Sequence, residues 1–376
     1  VTDIVNVDAN VSSRINLMRI LLIAGIVFVH IPYDPPHSPY LATDGAVDWI
    51  RVYLGDSLFR IGVPCLSAIS GYLLFRRGLS GFRYGKVMRS KAETVLVPFL
   101  LWNGAFLLLV LSAQAAGFGH GYLPDVIGAT PREIANQALA LEGWPINLPL
   151  YFLRDLLLCL ALSPVIGQLV KRYPRTTLLI FFAYAVLPLP SGIFLKKSIL
   201  FGFSFGAYAA LHGLDVKRLD AYAWPVTISV VSASVLLAAI LYVTGPDYPV
   251  WVDMLRGVTA ISGIVGAWAL SSLLIRTRFG QALGTGRGLS FWIFCAHYPL
   301  LVALWMAWNR TGLDDYPLFY FSAPVVALAL LATSHAVMGR VAPRLLAVLT
   351  GNRLGGSRGA LRPTSAPTTE ILSQQR

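Results

Sequence analysis

The sequence predicts an all-α integral membrane protein, a bundle of about ten transmembrane helices with both termini in the cytoplasm. Three observations predict it. The chain of 376 residues is 56% hydrophobic and 13% charged, against about 25% charged residues in a typical soluble domain. Its apolar residues come in blocks of roughly 17–25, the length that crosses a bilayer as a helix. Its net charge of +12 gathers in the connections on one side of those blocks. That is the positive-inside pattern, not the basic face of a nucleic-acid binder, so nucleic acid is not expected as a partner.

The blocks fall at about 17–33, 57–75, 93–116, 149–170, 176–190, 197–213, 222–244, 253–275, 289–308 and 318–339. The fifth is short and runs into Pro188 and Pro190, which break or tilt it. Connections such as Arg76 to Lys91, Lys171 to Arg175, Lys217–Arg218 and Arg276 to Arg287 share a side with both termini. Most of the acidic residues, among them Asp34, Asp44, Asp48, Asp56 and Asp125, lie opposite. The longest external connections are 34–56 and 117–148. Residues 1–16 read as a cytoplasmic N-terminus, 17–340 as the transmembrane domain, and 341–376 as a cytoplasmic tail disordered by its Gly, Ser, Pro, Thr and Arg content. The first block is followed by Pro-rich sequence without a small-residue cleavage site, so it reads as an uncleaved span. Cys65, Cys159 and Cys295 fall inside apolar segments and read as free core thiols.

The first block carries Arg19 and His30. Eleven helical residues correspond to about 16 Å of rise, which places a guanidinium near one face and an imidazole near the other. Ionisable groups in a span are costly, and function is their default explanation. An imidazole titrates near neutral pH and can take a proton from a hydroxyl. A snorkelling arginine and a boundary histidine are the plain alternatives. Arg154 and Asp155 open the fourth block at about the depth of His30, where Asp155 could orient the imidazole. That pair could equally serve packing alone. His297, mid-block on an aromatic-rich helix, reads as either a helix–helix contact or a cavity-lining group. Lys86, Arg89 and Lys91 precede the third block, as ordinary inner-face charge or as a phosphate cluster. The loop Gly284 to Gly288 is a weak second candidate for phosphate. No Walker, nucleophile-elbow or zinc-protease motif occurs, and the remaining histidines lack metal-ligand spacing, so no metal is expected. Trp49, Trp144, Tyr151 and Trp251 could stack on sugar rings or simply mark an interface.

Together these residues resemble the membrane acyltransferase-3 family. The elements are Arg19-x10-His30, the Ser70-Gly71-Tyr72 segment within Phe59 to Phe75, and the basic run Lys86 to Lys91 leading to Val97-Pro98-Phe99. Leu150 to Leu153 and Ser290 to His297 complete them, over about residues 12–340. The branch looks like the bacterial exopolysaccharide O-acyltransferases, including the succinoglycan succinyltransferase type. The family's R-x-x-R element reads Lys86-Val-Met-Arg89 here, which keeps charge but loses one bidentate fork.

The resemblance implies a multi-pass protein of the bacterial inner membrane with acyl-CoA as donor substrate, succinyl-CoA or acetyl-CoA. It implies a glycan acceptor on the outer face and, as partners, membrane lipid and the polysaccharide biosynthesis machinery. Arg19, Lys86, Arg89 and Lys91 would then hold the nucleotide phosphates, His30 would activate the sugar hydroxyl, and Asp155 and Arg154 would assist. A proton-coupled transporter, with Arg, Asp and His as a relay, and a non-catalytic export scaffold are the competing classes.

Overall fold

The computed structural model describes residues 9–284 and 288–352, and its regular structure among them is helical, with one isolated bridge between His120 and Leu123. Helix α1 (Ala9–Val29) is followed by α2 (Ala46–Phe75), α3 (Tyr84–Ala115), α4 (Pro131–Leu139), α5 (Tyr151–Ala161) and α6 (Ser163–Arg172). Next come α7 (Pro174–Val186), α8 (Ser198–Leu211), α9 (Ala223–Thr244) and α10 (Val250–Leu274). The chain closes with α11 (Arg278–Gly284), α12 (Leu289–Thr311), α13 (Tyr316–Val341) and α14 (Pro343–Leu349).

All ten apolar blocks are helical, but they are not ten equal spans. Seven helices are long and apolar enough to cross a membrane, or eight if α5 and α6 count as one bent crossing. That pair bends by 65° at Ser163-Pro164, because the proline ring and its missing N–H interrupt the helical ladder. The continuous fourth span read over 149–170 is therefore a broken one. Helices α7 and α8 have 13 and 14 residues, a rise of about 20 Å against about 30 Å of hydrocarbon.

Two spans start earlier than their hydropathy suggests. Helix α2 takes in polar residues from Asp48 onward because Asp48 pairs with Arg51 at 2.9 Å, both buried. Helix α3 begins at Tyr84, ahead of the apolar run. Both contain a π-helical turn, at Val52–Ser57 and Ala92–Leu96. The external segment 117–148 contains the amphipathic α4, started by a capping box in which Thr130 and Glu133 satisfy each other's backbone N–H groups. Order also continues past 340: α14 packs on α3, with the Trp102 indole donating to the Leu349 carbonyl at 3.0 Å. The tail read from 341 thus begins no earlier than 353, and residues from there on lie outside the described region.

Helix α1 runs through the middle of the bundle, against α2, α10, α11 and α12. Arg14 fastens its first turns. Fully buried, it pairs with Asp220 at 2.9 Å, donates to Ser271 Oγ at 3.0 Å and to the Trp268 carbonyl at 2.8 Å, and lies 3.8 Å over the Trp268 ring. A buried guanidinium needs such a full set of partners. The closest helix pair is α2 with α8. A Cβ on Gly206 would sit 1.9 Å from the Ala68 carbonyl oxygen, and one on Gly71 would sit 2.0 Å from that of Phe203. Gly202-x-x-x-Gly206 and the Gly of Ser-Gly-Tyr therefore let two backbones touch, as small residues do at membrane helix interfaces. All three cysteines are buried and free.

Candidate active site

His30 follows the last turn of α1 and lines a cavity of about 320 Å³. Ile26, Phe59, Arg60, Trp144, Tyr151, Phe152, Lys196 and Phe294 share its wall. Its ring faces that of His297, fully buried on α12, with 3.4 Å between His30 Nδ1 and His297 Nε2. The hydrogen-bond geometry assigns the tautomers. His297 Nδ1 lies 3.0 Å from the Ile293 carbonyl and 2.9 Å from that of Phe294. Carbonyls only accept, so Nδ1 carries the proton and Nε2 keeps its lone pair. His30 Nδ1 lies 3.0 Å from the Ile26 carbonyl, so it too carries its proton, shared between Ile26 and His297 Nε2. Nε2 of His30 is left as the basic atom of the dyad.

This arrangement fills the position expected of Asp155. That carboxylate, fully buried on α5, accepts from the Lys196 amide at 2.8 Å, the Leu195 amide at 3.2 Å and Arg154 at 2.8 Å. It braces the connection 187–197 and makes no hydrogen bond with His30. Arg154 is spent as well. It donates to the carbonyls of Ala140 at 2.9 Å, Leu141 at 3.0 Å and Ile193, besides Asp155. The pair ties two irregular segments to a helix, supplying the partners that non-helical backbone needs inside a membrane protein. His297, read only as a cavity-lining or contact residue, is the one that bonds His30. Sequence spacing carried no sign of this, because the two residues lie 267 positions apart.

Toward the other end of α1, Arg19 has no hydrogen-bond or ion-pair partner among the described residues. Two further cavities follow α1 in that direction. One of about 140 Å³ shares Phe59 with the His30 cavity, and one of about 340 Å³ shares Met18 with the second. Where α2 passes into α3, Arg76, Arg77, Arg83, Lys86 and Lys91 line a pocket of about 440 Å³. Lys86 and Lys91 are thus brought together. Arg89 is not among them: it points outward and meets Glu93 at 3.6 Å, with both side chains mostly exposed. The missed members Arg76, Arg77 and Arg83 were legible as charge but not as a pocket. Of the aromatics, Trp144 and Tyr151 form an edge-to-face pair on the His30 cavity, with ring centroids 4.9 Å apart. Trp49 stacks on Tyr53 away from the cavity, and Trp251 is exposed. Thr285 to Arg287 of the glycine loop lie outside the described residues.

The acyltransferase domain model matches residues 12–335, which takes in α1 with Arg19 and His30, and α12 with His297. The chain belongs to the acyltransferase-3 family. The chain is also similar to succinoglycan biosynthesis protein ExoH of Rhizobium meliloti (strain 1021), 62% identical over 369 residues, covering 98% of this chain and all of that protein. No solved structure matches this acyltransferase-3 chain. Membership makes the dyad and its cavity the candidate centre of an acyl transfer.

Proposed function

We propose that this protein is an acyl-CoA-dependent O-acyltransferase of the bacterial inner membrane. It moves a succinyl or acetyl group to a sugar hydroxyl of an exopolysaccharide or its lipid-linked precursor. The observation that carries this reading is the His30–His297 dyad beside a cavity, about 16 Å along α1 from an arginine without a partner among the described residues. The basic connections gather on the side of Arg19 and the basic pocket, and the positive-inside rule favours that side as the one where acyl-CoA is made. The name of the 62% identical relative supports an exopolysaccharide acceptor and association with its biosynthesis machinery.

The residues fit the donor. Its phosphates need fixed positive charge, which Arg76, Arg77, Arg83, Lys86 and Lys91 supply in one pocket. The cavities following α1 suit the neutral arm, and the thioester then reaches His30. Nε2 of His30 takes the proton of the sugar hydroxyl as its oxygen attacks the thioester carbonyl, and passes that proton to the departing thiolate. His297 Nε2 accepts from His30 Nδ1–H, which stabilises the imidazolium between the two transfers, the part a carboxylate plays in other triads. Trp144 and Tyr151 offer the sugar a stacking surface at the cavity.

The test uses purified protein with acyl-CoA and deacylated exopolysaccharide oligosaccharides. His30→Ala is expected to lose about 10²–10⁴-fold in turnover while CoA affinity stays within about twofold. Lost CoA binding with turnover preserved at saturating donor would overturn the assignment.

A further inference from the structure

The His30 cavity holds more positive charge than proton transfer needs. Basic residues at this end of the bundle are mostly paired. Arg51 meets Asp48, Arg132 meets Glu142 at 2.6 Å, and Arg154 meets Asp155. Lys197 Nζ donates to the carbonyls of Leu187 and Leu189, at 2.6 and 3.0 Å. Lys196 differs. Its ammonium makes no hydrogen bond or ion pair among the described residues, and its side chain is open to the cavity beside Arg60.

Arg60 is only partly neutralised. It meets Asp56 Oδ1 at 2.9 Å, and Arg256 meets the same oxygen at 2.9 Å. The other oxygen accepts from Tyr40 at 3.1 Å. One carboxylate serves two guanidiniums, and Asp253 is the acid whose charge acts on Lys196. The remaining wall is aromatic or aliphatic apart from the neutral His30. Lys196 is exposed to the cavity, so its ammonium is free to pair with an anion that enters. The position of Lys196 is held, not accidental, because its own amide is fixed by Asp155.

We propose that Lys196, together with Arg60, forms a carboxylate subsite that holds the free end of a dicarboxylic acyl chain while its thioester carbonyl lies at His30. The subsite rests on the acyl-transfer reading above and adds the residues that choose the acyl group. A neutral acyl chain leaves the Lys196 ammonium without a bonded partner and Arg60 sharing one carboxylate, and a site built to pair a polar group discriminates strongly against the analogue that lacks it.

The experiment uses the purified full chain, succinyl-CoA and acetyl-CoA as donors, and the same deacylated oligosaccharides, with products read by mass. Lys196→Met keeps the stem and removes the charge. It is expected to lower kcat/KM for succinyl-CoA by about 10–100-fold, mostly through KM, the size of one lost charged hydrogen bond. The value for acetyl-CoA should move less than about threefold, and Lys196→Arg should recover most of the preference. Equal loss with both donors, or no loss, overturns the subsite. So does a loss that vanishes when the acceptor's own carboxylates are methyl-esterified, since Lys196 then serves the acceptor. Wild type that transfers acetyl alone refutes the subsite and leaves the acyl-transfer reading standing. Wild type that transfers neither group refutes both.

Discussion

His30 and His297 meet through ring nitrogens 3.4 Å apart, and each holds its Nδ1 proton against a carbonyl of its own helix. That local bond fixes the tautomer and so decides which nitrogen is basic. Replacing His297 by Phe leaves His30 Nδ1–H with only the Ile26 carbonyl. Turnover is expected to fall about 10–100-fold, with donor affinity unchanged, and the acid limb of the pH–rate profile should move. Lys196 gives a second pH signature. Burial, followed by the charges of Arg60 and Arg256, pushes its ammonium down to about 8, with Asp253 opposing and Lys197 adding to the shift. The ammonium is charged below that pH and neutral above it. Preference for succinyl-CoA over acetyl-CoA is therefore expected to decline as pH rises through about 8, and Lys196→Arg should flatten the decline. A preference that stays constant from pH 7 to 9 in the wild type would contradict the charge assignment. Of these residues the sequence marks His30 and Arg19 by their place on one apolar helix. Lys196 and Arg60 leave a fainter trace, as basic residues on the side where acidic ones dominate. The His297 contact leaves none, since only packing of α1 on α12 creates it.

Helix α8 lies against α2 with backbone touching backbone, and Gly71, Gly202 and Gly206 are the reason. Gly206→Val would drive side-chain atoms into the Ala68 carbonyl and force the helices apart. A loss of about 1–3 kcal/mol is expected from such overpacking, read as a lower melting temperature in detergent, whereas Ser112→Ala on the exposed face of α3 should leave it unchanged. The hydropathy blocks show where helices form, and all ten are there. They do not show length or bending. Pro164 marks the break between α5 and α6, and Pro188 and Pro190 mark the end of α7. The fixing of 193–196, however, depends on Asp155 and Arg154 bonding its backbone groups. The same preference explains the departure from the expected role of Asp155. Two backbone amides and an adjacent guanidinium compete for its oxygens and win over an imidazole that already has a carbonyl partner.

Across the whole molecule the functional parts are spread along α1. Cations gather where α2 passes into α3, cavities follow α1, and the histidine dyad closes the far end. Such a layout suits a donor and an acceptor that reach the protein from opposite faces. It requires Arg83 and Asp125 to lie on opposite sides, and single cysteines at those positions should label with a membrane-impermeant thiol reagent in intact cells only at 125. Labelling at 83 would reverse the topology. The central claim is that this protein transfers an acyl group to exopolysaccharide with His30 as its general base. The most direct test is mass spectrometry of the exopolysaccharide from cells lacking this gene, complemented with wild type or His30→Ala. Loss of one acyl mass, restored by wild type and not by His30→Ala, is the expected result. Acylation unchanged by the deletion, or fully restored by His30→Ala, would contradict it.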